Sequence, residues 1–453
     1  MAELDLLSLL IPYGNKTIKV KATGTGYDDS DFSNSVSYVS RPILVREDAD
    51  TIRITNCRAA CTTYNLYDIN NNLLATESFS GADGDYIDVS VTGFGWTANT
   101  SNKVYCVASD GVNDYTSNTY AHWYGAAVVL GVSGLYSSTT ALTRTDAAVG
   151  LTWTMTNNEI ASDFDNYFPY NMMVKETVDG NAMVYVPEMY WRIGYDDNGY
   201  ITDVAVSPSA FEAQSGKLRA HSDAFYYGAY GASYSSGVMQ SKSGIARQYS
   251  QTIAQFRTAA NNAGTGYQLI DVYHTRILEL LWLIEFADKQ SENIMWGYTS
   301  YNGQCGATDT LTSPSGQTAA KGRMRWRYIE DFIGNGYEFF DGIYGMSVTS
   351  DPQYFGESTT GKTEFTGTSI GGYELAALGF ADTNNPLLIV PKLGVSNGSY
   401  NTYFCDYVYV LSGAYIYYRG RNDSSASNGL FYWNNASVSA SYIGIGSRLL
   451  KTL

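Results

Sequence analysis

Hydrophobic and polar residues alternate with a period of two near the start of the chain. Residues 16–23 place Ile18, Val20 and Ala22 on one face, and a similar alternation returns in residues 35–39. A cluster of Gly, Asp and Ser lies between the two segments. Period-two alternation on both sides of a turn cluster predicts a pair of β-strands joined by a loop.

Short alternating segments continue from Pro42 to about Trp123 and are separated by Asn, Gly and Asp. They occupy residues 51–55, 62–69, 72–79, 85–91, 103–109 and 117–123. Several short strands at this spacing, with turn residues between them, predict a β-sandwich. We find no chemistry-bearing motif in this part of the chain, and we expect it to act in spacing or assembly.

The pattern changes after about Gly125. Residues 181–195 alternate as a strand that is interrupted at Pro187. Residues 250–264 carry apolar residues at helical spacing, whereas residues 269–294 are apolar on several faces, so we expect one amphipathic and one buried helix. Strands and loops are expected in the remainder. Two helices within a β-rich segment predict the α+β class for residues 125–453.

The last segment, residues 400–453, is rich in Tyr, Ser, Asn and Gly. Tyr supplies rigid, amphipathic contact area, and the small residues supply adaptable hydrogen bonds, as in binding loops. The whole chain contains 40 Tyr and 44 Gly, so the strands and turns of a plain β scaffold explain the same composition. The arrangement favours binding, because apolar residues expected to hold the frame separate the polar runs. They are Leu430, Phe431, Trp433, Ile443, Ile445 and Leu449.

Charge and hydropathy narrow the classes of partner. The chain has 44 acidic and 28 basic residues, a formal net charge of -16, which repels phosphate backbones and disfavours nucleic-acid binding. The longest apolar run, residues 126–130, is too short to span a bilayer, so we expect no membrane insertion. The N-terminal residues have no basic region followed by a cleavage site, so they encode no secretion signal.

The cysteine pattern indicates free thiols. The five cysteines form no CxxC pair and no spacing with histidine that would hold zinc. They are Cys57, Cys61, Cys106, Cys305 and Cys405. Free thiols in a reducing cytoplasm are the simplest interpretation of such a scattered, odd-numbered set.

Candidate nucleophiles and bases have simpler interpretations. Residues 367–371 and 394–398 both match GxSxG, but neither lies between a predicted strand and a predicted helix, as a nucleophile elbow requires. The three histidines are the side chains that titrate near neutral pH. His274 falls in the buried helix, where a structural role is favoured, whereas His122 and His221 are explained as polar side chains at the protein surface.

Paired carboxylates and acidic clusters leave two further possibilities. Glu330 with Asp331, Glu338 with Asp341, and Asp196 with Asp197 are candidates for two-carboxylate polysaccharide cleavage, although turn and cap roles explain them. Oxygen ligands for calcium occur at Asp28, Asp29 and Asp31 and at Asp163 and Asp165, where solvated turns are the alternative. We therefore predict no catalytic residue and no cofactor, and the sequence leaves a metal open.

Several segments of the second half resemble, in order, a known family. Residues 183–192, 224–230, 295–300, 325–343 and 429–450 are similar to the C-type-lectin-fold modules of phage and prophage tail proteins. These modules are related to the formylglycine-generating-enzyme-like branch of that fold and to the variable proteins of diversity-generating retroelements. The resemblance covers roughly residues 134–453, and it is most specific at 329–343 and 429–450.

Two departures limit what this resemblance implies. The enzyme branch uses a cysteine pair, whereas Cys305 and Cys405 are isolated in sequence. Calcium-dependent lectins carry EPN or QPD with WND, and the nearest string here, residues 421–423, lacks the Trp. Neither the oxidase activity nor calcium-bridged sugar binding is therefore implied.

We expect three segments, and the lectin-fold resemblance applies to the third. Residues 1–41 resemble the closing strands of an immunoglobulin-like module, residues 42–124 form an all-β sandwich, and residues 125–453 form an α+β C-type lectin fold with a variable region at about 400–453. The implied function is a receptor-binding protein at a phage tail tip, part of the virion. It would bind a bacterial surface protein or glycan, contact other tail proteins and assemble as a homotrimer.

Ligand contacts are expected at polar and aromatic positions of the variable region. They are Tyr400, Asn401, Tyr403, Tyr415, Tyr417, Tyr418, Arg421, Asn422, Asp423, Ser424, Ser425, Tyr432, Asn434, Asn435, Ser437, Ser439, Ser441 and Tyr442. Two alternatives remain: an enzyme, either a glycan depolymerase or a formylglycine-type oxidase, and a structural tail or adhesin component that reads no ligand.

Overall fold

The computed structural model divides the chain into two compact units, Met1–Ala127 and Val128–Leu453. The structure describes residues 16–20, 33–38, 42–46, 50–96, 100–117, 120–124, 128–301, 303–345, 347–348, 363–364, 370–396, 403–411, 413, 415–420 and 428–453. Strands dominate the described part of both units, so the prediction of a β-rich chain is confirmed.

The first unit contains ten described strands. They are β1 (Lys16–Val20), β2 (Ser33–Tyr38), β3 (Ile43–Arg46), β4 (Thr51–Thr55), β5 (Thr63–Asp68), β6 (Leu73–Ser78), β7 (Ile87–Ser90), β8 (Thr100–Ser109), β9 (Asp114–Thr116) and β10 (Tyr120–Tyr124). As predicted, β1 and β2 form an antiparallel pair.

Two antiparallel sheets of the first unit share one core. One has the order β10-β8-β5-β6 with β9 beside β8, and the other has the order β3-β4-β7. Alternate residues of β4 and β5, among them Ile52, Ile54 and Leu66, are buried in a common cluster. The period-two pattern therefore did identify the inward face of these strands.

The second unit contains twenty-seven described strands. They are β11 (Leu130–Ser133), β12 (Thr143–Asp146), β13 (Trp153–Thr156), β14 (Glu159–Ser162), β15 (Lys175–Val178), β16 (Asn181–Val186), β17 (Met189–Tyr195), β18 (Ile201–Ser207), β19 (Lys217–Ser222), β20 (Phe225–Gly231), β21 (Ser233–Ser235), β22 (Val238–Gln240), β23 (Tyr267–Leu269), β24 (Ser315–Gln317), β25 (Met324–Trp326), β26 (Ile329–Glu330), β27 (Tyr337–Phe340), β28 (Ile343–Tyr344), β29 (Ser347–Val348), β30 (Thr363–Glu364), β31 (Ile370–Asp382), β32 (Asn385–Val395), β33 (Tyr407–Val410), β34 (Tyr415–Arg419), β35 (Trp433–Ser437), β36 (Ile445–Gly446) and β37 (Arg448–Thr452).

Both predicted helices are present. They are α1 (Ile253–Asn261) and α2 (Val272–Phe286), and three short 3-10 helices occupy Asp163–Asn166, Tyr170–Met172 and Ser291–Asn293. A capping box between Thr252 and Gln255 starts α1, and the side chain of Asp271 caps α2. Every residue of α2 except Tyr273 is buried, which confirms the prediction of a buried helix.

The sheets of the second unit include three of five strands and one of seven. The five-stranded orders are β12-β11-β18-β17-β19, β13-β14-β24-β25-β26 and β15-β16-β20-β37-β23. The seven-stranded sheet has the order β32-β31-β33-β35-β34-β27-β36 and contains most of the described C-terminal region. Its strands come from distant parts of the chain, and β33 and β35 pair in parallel, as do β27 and β36.

All five cysteines are buried free thiols, as predicted. Burial raises the pKa of Cys57 and Cys305, in each case to about 11, so these thiols are protonated at neutral pH. Within the described residues, no helix has the length and apolar character required to cross a bilayer.

Candidate ligand-binding face

Two neighbouring strands of the seven-stranded sheet turn alternate residues to opposite faces. Tyr418 of β34 pairs with Asn434 of β35, and Arg419 pairs with Trp433. Because paired residues of an antiparallel ladder point to the same side, Tyr418 and Asn434 share one face while Arg419 and Trp433 share the other.

Five tyrosines, which we call the tyrosine array, come together in this sheet. They are Tyr337 of β27, Tyr407 and Tyr409 of β33, Tyr418 of β34, and Tyr432, which directly precedes β35. Tyr432 is buried and the other four are half-buried. The array is therefore supported by the protein yet still presents part of its surface to solvent.

Four rings of the array form a row. Ring centroids are 5.5 Å apart between Tyr337 and Tyr432, 6.0 Å between Tyr432 and Tyr407, and 6.3 Å between Tyr407 and Tyr409, with interplanar angles of 23° to 28°. Tyr418 packs edge-on against Tyr337 at 4.8 Å. Such contacts fix the orientation of the rings.

Amides of β35 organise the row. The side-chain amide of Asn434 donates to the hydroxyl of Tyr432 at 2.8 Å, and that of Asn435 donates to the backbone carbonyl of Tyr409 at 3.1 Å. Burial raises the pKa of Tyr407 and, more strongly, that of Tyr432. These two phenols are therefore uncharged at neutral pH and act as hydrogen-bonding groups.

Residues 437–443 run from the last residue of β35 toward β36, and we call them the terminal loop. The serines at 437, 439 and 441 are exposed, as is Tyr442, whose exposure is 55%. Tyr337 of the array donates its backbone N–H to the carbonyl of Gly444 at 2.8 Å. The residue that directly follows the loop is therefore bonded to a member of the array.

The prediction for one of the frame residues is wrong. Ile443 was expected to anchor the segment, but it is 71% exposed in the terminal loop. It lies in the turn closed by the Ile445 N–H, which donates to the Tyr442 carbonyl, so its side chain is displayed. The other predicted anchors, Leu430, Phe431, Trp433, Ile445 and Leu449, are each at most 2% exposed, and their prediction is confirmed.

The opposite face of the sheet packs against α2 through buried charges. The guanidinium of Arg276 lies 5.2 Å from the ring centroid of Trp433, and Arg419 pairs with Glu279 at 3.2 Å. All four side chains are at most 2% exposed. Buried ion pairs hold both partners in defined orientations, because any displacement leaves a charge without compensation.

Glu338 is the centre of this buried network. Its carboxylate pairs with Arg247 at 2.6 Å, Arg448 at 2.9 Å and Arg419 at 3.3 Å. Burial opposes ionisation, but the three guanidiniums lower the pKa of Glu338 below its ordinary value. The carboxylate is thus a charged structural group rather than an acid awaiting a substrate.

The other carboxylates from the same region are also paired. Glu330 and Asp331 both bind Arg323, with closest distances of 2.7 Å and 2.5 Å, and Asp341 binds Arg257 at 2.8 Å. The three acids are at most 3% exposed. The structure therefore places these candidates for two-carboxylate cleavage in the interior. Asp196 closes the expected turn, accepting the backbone N–H groups of Asn198 and Tyr200.

The candidate calcium ligands have protein partners where they are described. Asp163 accepts hydrogen bonds from the backbone and hydroxyl of Thr152, and Asp165 pairs with Arg327 at 2.5 Å. No group of three or more His, Cys, Asp or Glu with metal-binding geometry occurs in the part of the chain that the structure covers. Asp28, Asp29 and Asp31 lie outside the described residues.

Two histidines pair with carboxylates. His274 bonds through Nδ1 to Asp271, the cap of α2, at 2.8 Å, which supports a structural role. His221 bonds to Glu188 at 2.7 Å, and this contact raises the pKa of His221. The side chain of His122 lies outside the described residues.

Neither GxSxG string has the context of a nucleophile elbow where it is described. Ile370 and Gly371 begin β31, and Gly394 and Val395 end β32, with Ser396 in the following turn. The remaining members, residues 367–369 and 397–398, lie outside the described residues.

The predicted contact residues fall into four groups. Tyr418, Tyr432, Asn434 and Asn435 belong to the array or support it, and Ser437, Ser439, Ser441 and Tyr442 form the terminal loop. Tyr403 and Tyr415 are half-buried outside the array, and Tyr417 is fully buried, with its hydroxyl bonded to the backbone of Leu411. Tyr400, Asn401, Arg421, Asn422, Asp423, Ser424 and Ser425 lie outside the described residues.

Sequence reasoning missed three members of the array. Tyr407 and Tyr409 alternate with Val408 and Val410, a period-two pattern that places both tyrosines on one face. Tyr337 precedes Glu338 in β27, and only the pairing of β27 with β34 and β36 brings it beside the C-terminal strands. The first signal was available in the sequence, whereas the second required the sheet order.

Comparisons with known proteins assign no family, since neither a protein-family model nor a curated protein matches this chain.

Proposed function

We propose that the second unit is a ligand-binding domain with a C-type lectin fold, and that the chain is a receptor-binding protein of a phage or prophage tail tip. The tyrosine array is the observation that carries this proposal. Tyr is enriched in binding surfaces because its large rigid ring loses little entropy on contact and its hydroxyl adds hydrogen bonds. The ligand is a bacterial surface protein or glycan.

The packing of α2 against the opposite face of the sheet supports this proposal. The sheet that presents the array on one face is packed on the other against α2, through the Arg419–Glu279 ion pair and the contact of Arg276 with the Trp433 ring. A contact surface supported in this way keeps its shape before binding, which reduces the entropy lost on association.

The terminal loop supports a role in specificity. Ser437, Ser439, Ser441 and Tyr442 are exposed beside the array, and replacing them would disturb no buried group. We propose that these positions vary among related proteins through a diversity-generating retroelement and thereby change the ligand. Several copies in a homotrimer, attached to other tail proteins, would add avidity to weak single contacts.

Binding of the purified protein to a panel of bacterial cells tests the proposal. Tyr407→Ala and Tyr409→Ala are each expected to weaken binding about tenfold, the usual effect of removing an interface tyrosine worth about 1.4 kcal/mol. Tyr195→Ala is the matched control, because Tyr195 is 38% exposed but lies in the sheet formed by β17. Unchanged binding by both array variants, with the fold intact, would contradict the proposal.

A further inference from the structure

Three consecutive backbone N–H groups are held by side chains at the start of the closing segment. Those of Gly429 and Phe431 donate to the two carboxylate oxygens of Asp406, the latter at 2.7 Å, and that of Leu430 donates to the hydroxyl of Ser291 at 3.0 Å. Asp406 is 0% exposed. Residues 429–431 are thus fixed from one side by two polar side chains.

A second buried carboxyl, that of Glu292, points into the same space. A Cβ placed on Gly429 would lie 2.6 Å from Glu292 Oε1 and 2.7 Å from Asp406 Oδ1, so both oxygens border one small volume. Glu292 is 5% exposed, and Oε1 has no hydrogen-bond partner among the described residues. A buried oxygen without a partner costs free energy unless a proton or another group satisfies it.

The surroundings favour a proton in this volume over two negative charges. Burial raises the pKa of Glu292 to about 7, and burial together with the charge of Glu292 raises that of Asp406. The charges of Asp288 and Glu279 add to the repulsion. Two cations that lie against the rings of Phe431 and Phe404 have other partners: Arg276 pairs with Glu279, and Lys289 donates to the backbone carbonyls of residues 134, 135 and 137.

We propose that Glu292 and Asp406 share a proton and so hold residues 429–431 in place, which makes the position of Tyr432 in the tyrosine array depend on pH. The protonated carboxyl of Glu292 would donate to Asp406, while Asp406 accepts the N–H groups of Gly429 and Phe431. Tyr432 follows this turn directly, and its own N–H donates to the Gly429 carbonyl at 3.3 Å. Glu292 and Asp406 are therefore positioning residues, and their effect on binding rests on the proposed function.

The expected pH dependence of stability follows from the raised pKa of Glu292. A carboxyl whose pKa is higher in the folded than in the unfolded state stabilises the fold at low pH, and this contribution is lost as the pH rises. For Glu292 the contribution is complete below the ordinary value of 4.5 and is lost as the pH rises through about 7. Above that range two buried negative charges face each other, and the turn is released.

Hydrogen–deuterium exchange of the full chain tests the proposed shared proton without a ligand. After correction for intrinsic exchange, the amides of residues 429–432 should lose at least about tenfold in protection between about pH 5.5 and pH 8.5, since each pKa unit corresponds to a factor of ten. Glu292→Gln keeps a neutral donor in place and should abolish this loss. Asp223→Asn, at a side chain that is 95% exposed, should retain it.

Each outcome decides the proposal. Protection that does not change with pH in the unmodified chain would overturn it, and this result requires no variant to fold. The same loss in Glu292→Gln would also overturn it. Restoration of protection by calcium at about pH 8.5 would show that a cation bridges the carboxyls instead. If the exchange results are as expected but cell binding is absent at every pH, the shared proton is supported and the proposed function is contradicted.

Discussion

The partners of a buried charge such as Glu338 cannot be inferred from its neighbours in sequence. A turn or cap role was expected for Glu338, with paired-acid catalysis as the alternative, but the residue lies buried within strand β27. Its three arginine partners lie 91, 81 and 110 positions away in the chain. No periodicity encodes contacts at such separations, so the sequence identified the residue as unusual but could not identify its partners.

Replacing Glu338 with Gln is expected to destabilise the second unit by about 3 kcal/mol or more, because three buried guanidiniums lose their shared counter-charge. The urea midpoint of unfolding measures this loss. Because the folded pKa of Glu338 is lowered, its contribution is present above the ordinary value of 4.5 and disappears as the pH falls further. The difference between the unmodified chain and Glu338→Gln should therefore shrink in acid.

Asp179→Asn provides the control for Glu338→Gln. Asp179 pairs with Lys451 at 2.7 Å, but its side chain is 60% exposed. Solvent screens such a pair, so the midpoint should change little. A midpoint for Glu338→Gln equal to that of the control would show that the buried network does not depend on this carboxylate.

At the scale of single elements, the sequence predicted helices and strands wherever the periodicity of apolar residues marks the buried face of that element. The helix expected within residues 250–264 spans Ile253–Asn261, and the alternating residues of β4 and β5 point inward as predicted. The order of strands was not predictable. The seven-stranded sheet joins β27, β31 and β33 to β35 through pairings across long sequence separations, and this order brings Tyr337 beside Tyr432.

The start of α1 provides a prediction at this scale. Thr252 accepts the backbone N–H of Gln255 at 3.2 Å, and the Gln255 side chain accepts the Thr252 N–H at 2.9 Å. Thr252→Ala should cost about 1 kcal/mol because one N–H of the first turn loses its partner. Thr252→Ser keeps the hydroxyl and should retain most of the stability. Equal urea midpoints for the two variants would show that the cap contributes nothing.

The helix that this cap starts, α1, packs beneath the tyrosine array. Phe256 of α1 contacts Phe339 of β27, with ring centroids 6.3 Å apart, and Phe339 contacts Tyr418 of the array at the same distance. The array therefore rests on α1 through one intervening ring. A capping defect should loosen the support of Tyr418 without altering the exposed serines.

At the scale of the whole molecule, sequence reasoning separated a β-only first part from a second part that contains both helices. The structure contains two compact units, Met1–Ala127 and Val128–Leu453, each with a hydrophobic core of its own. The C-type lectin fold and the tail-tip role stay predictions, because they depend on the resemblance of particular segments. The composition of residues 400–453 indicated recognition, but the sheet determined which tyrosines are grouped and which, like Tyr417, are interior.

The two units are expected to differ in binding when they are separated. All members of the tyrosine array, the terminal loop, α1 and α2 lie between residues 128 and 453. A fragment comprising residues 128–453 should therefore fold and bind the same cells as the full chain, with an affinity per site within about threefold, while residues 1–127 alone should not bind. Surface plasmon resonance on immobilised cell-wall extract measures both fragments, with the Tyr407→Ala fragment as the control for specific contact. Binding by residues 1–127 equal to that of the full chain would place recognition in the first unit and contradict the assignment of the array.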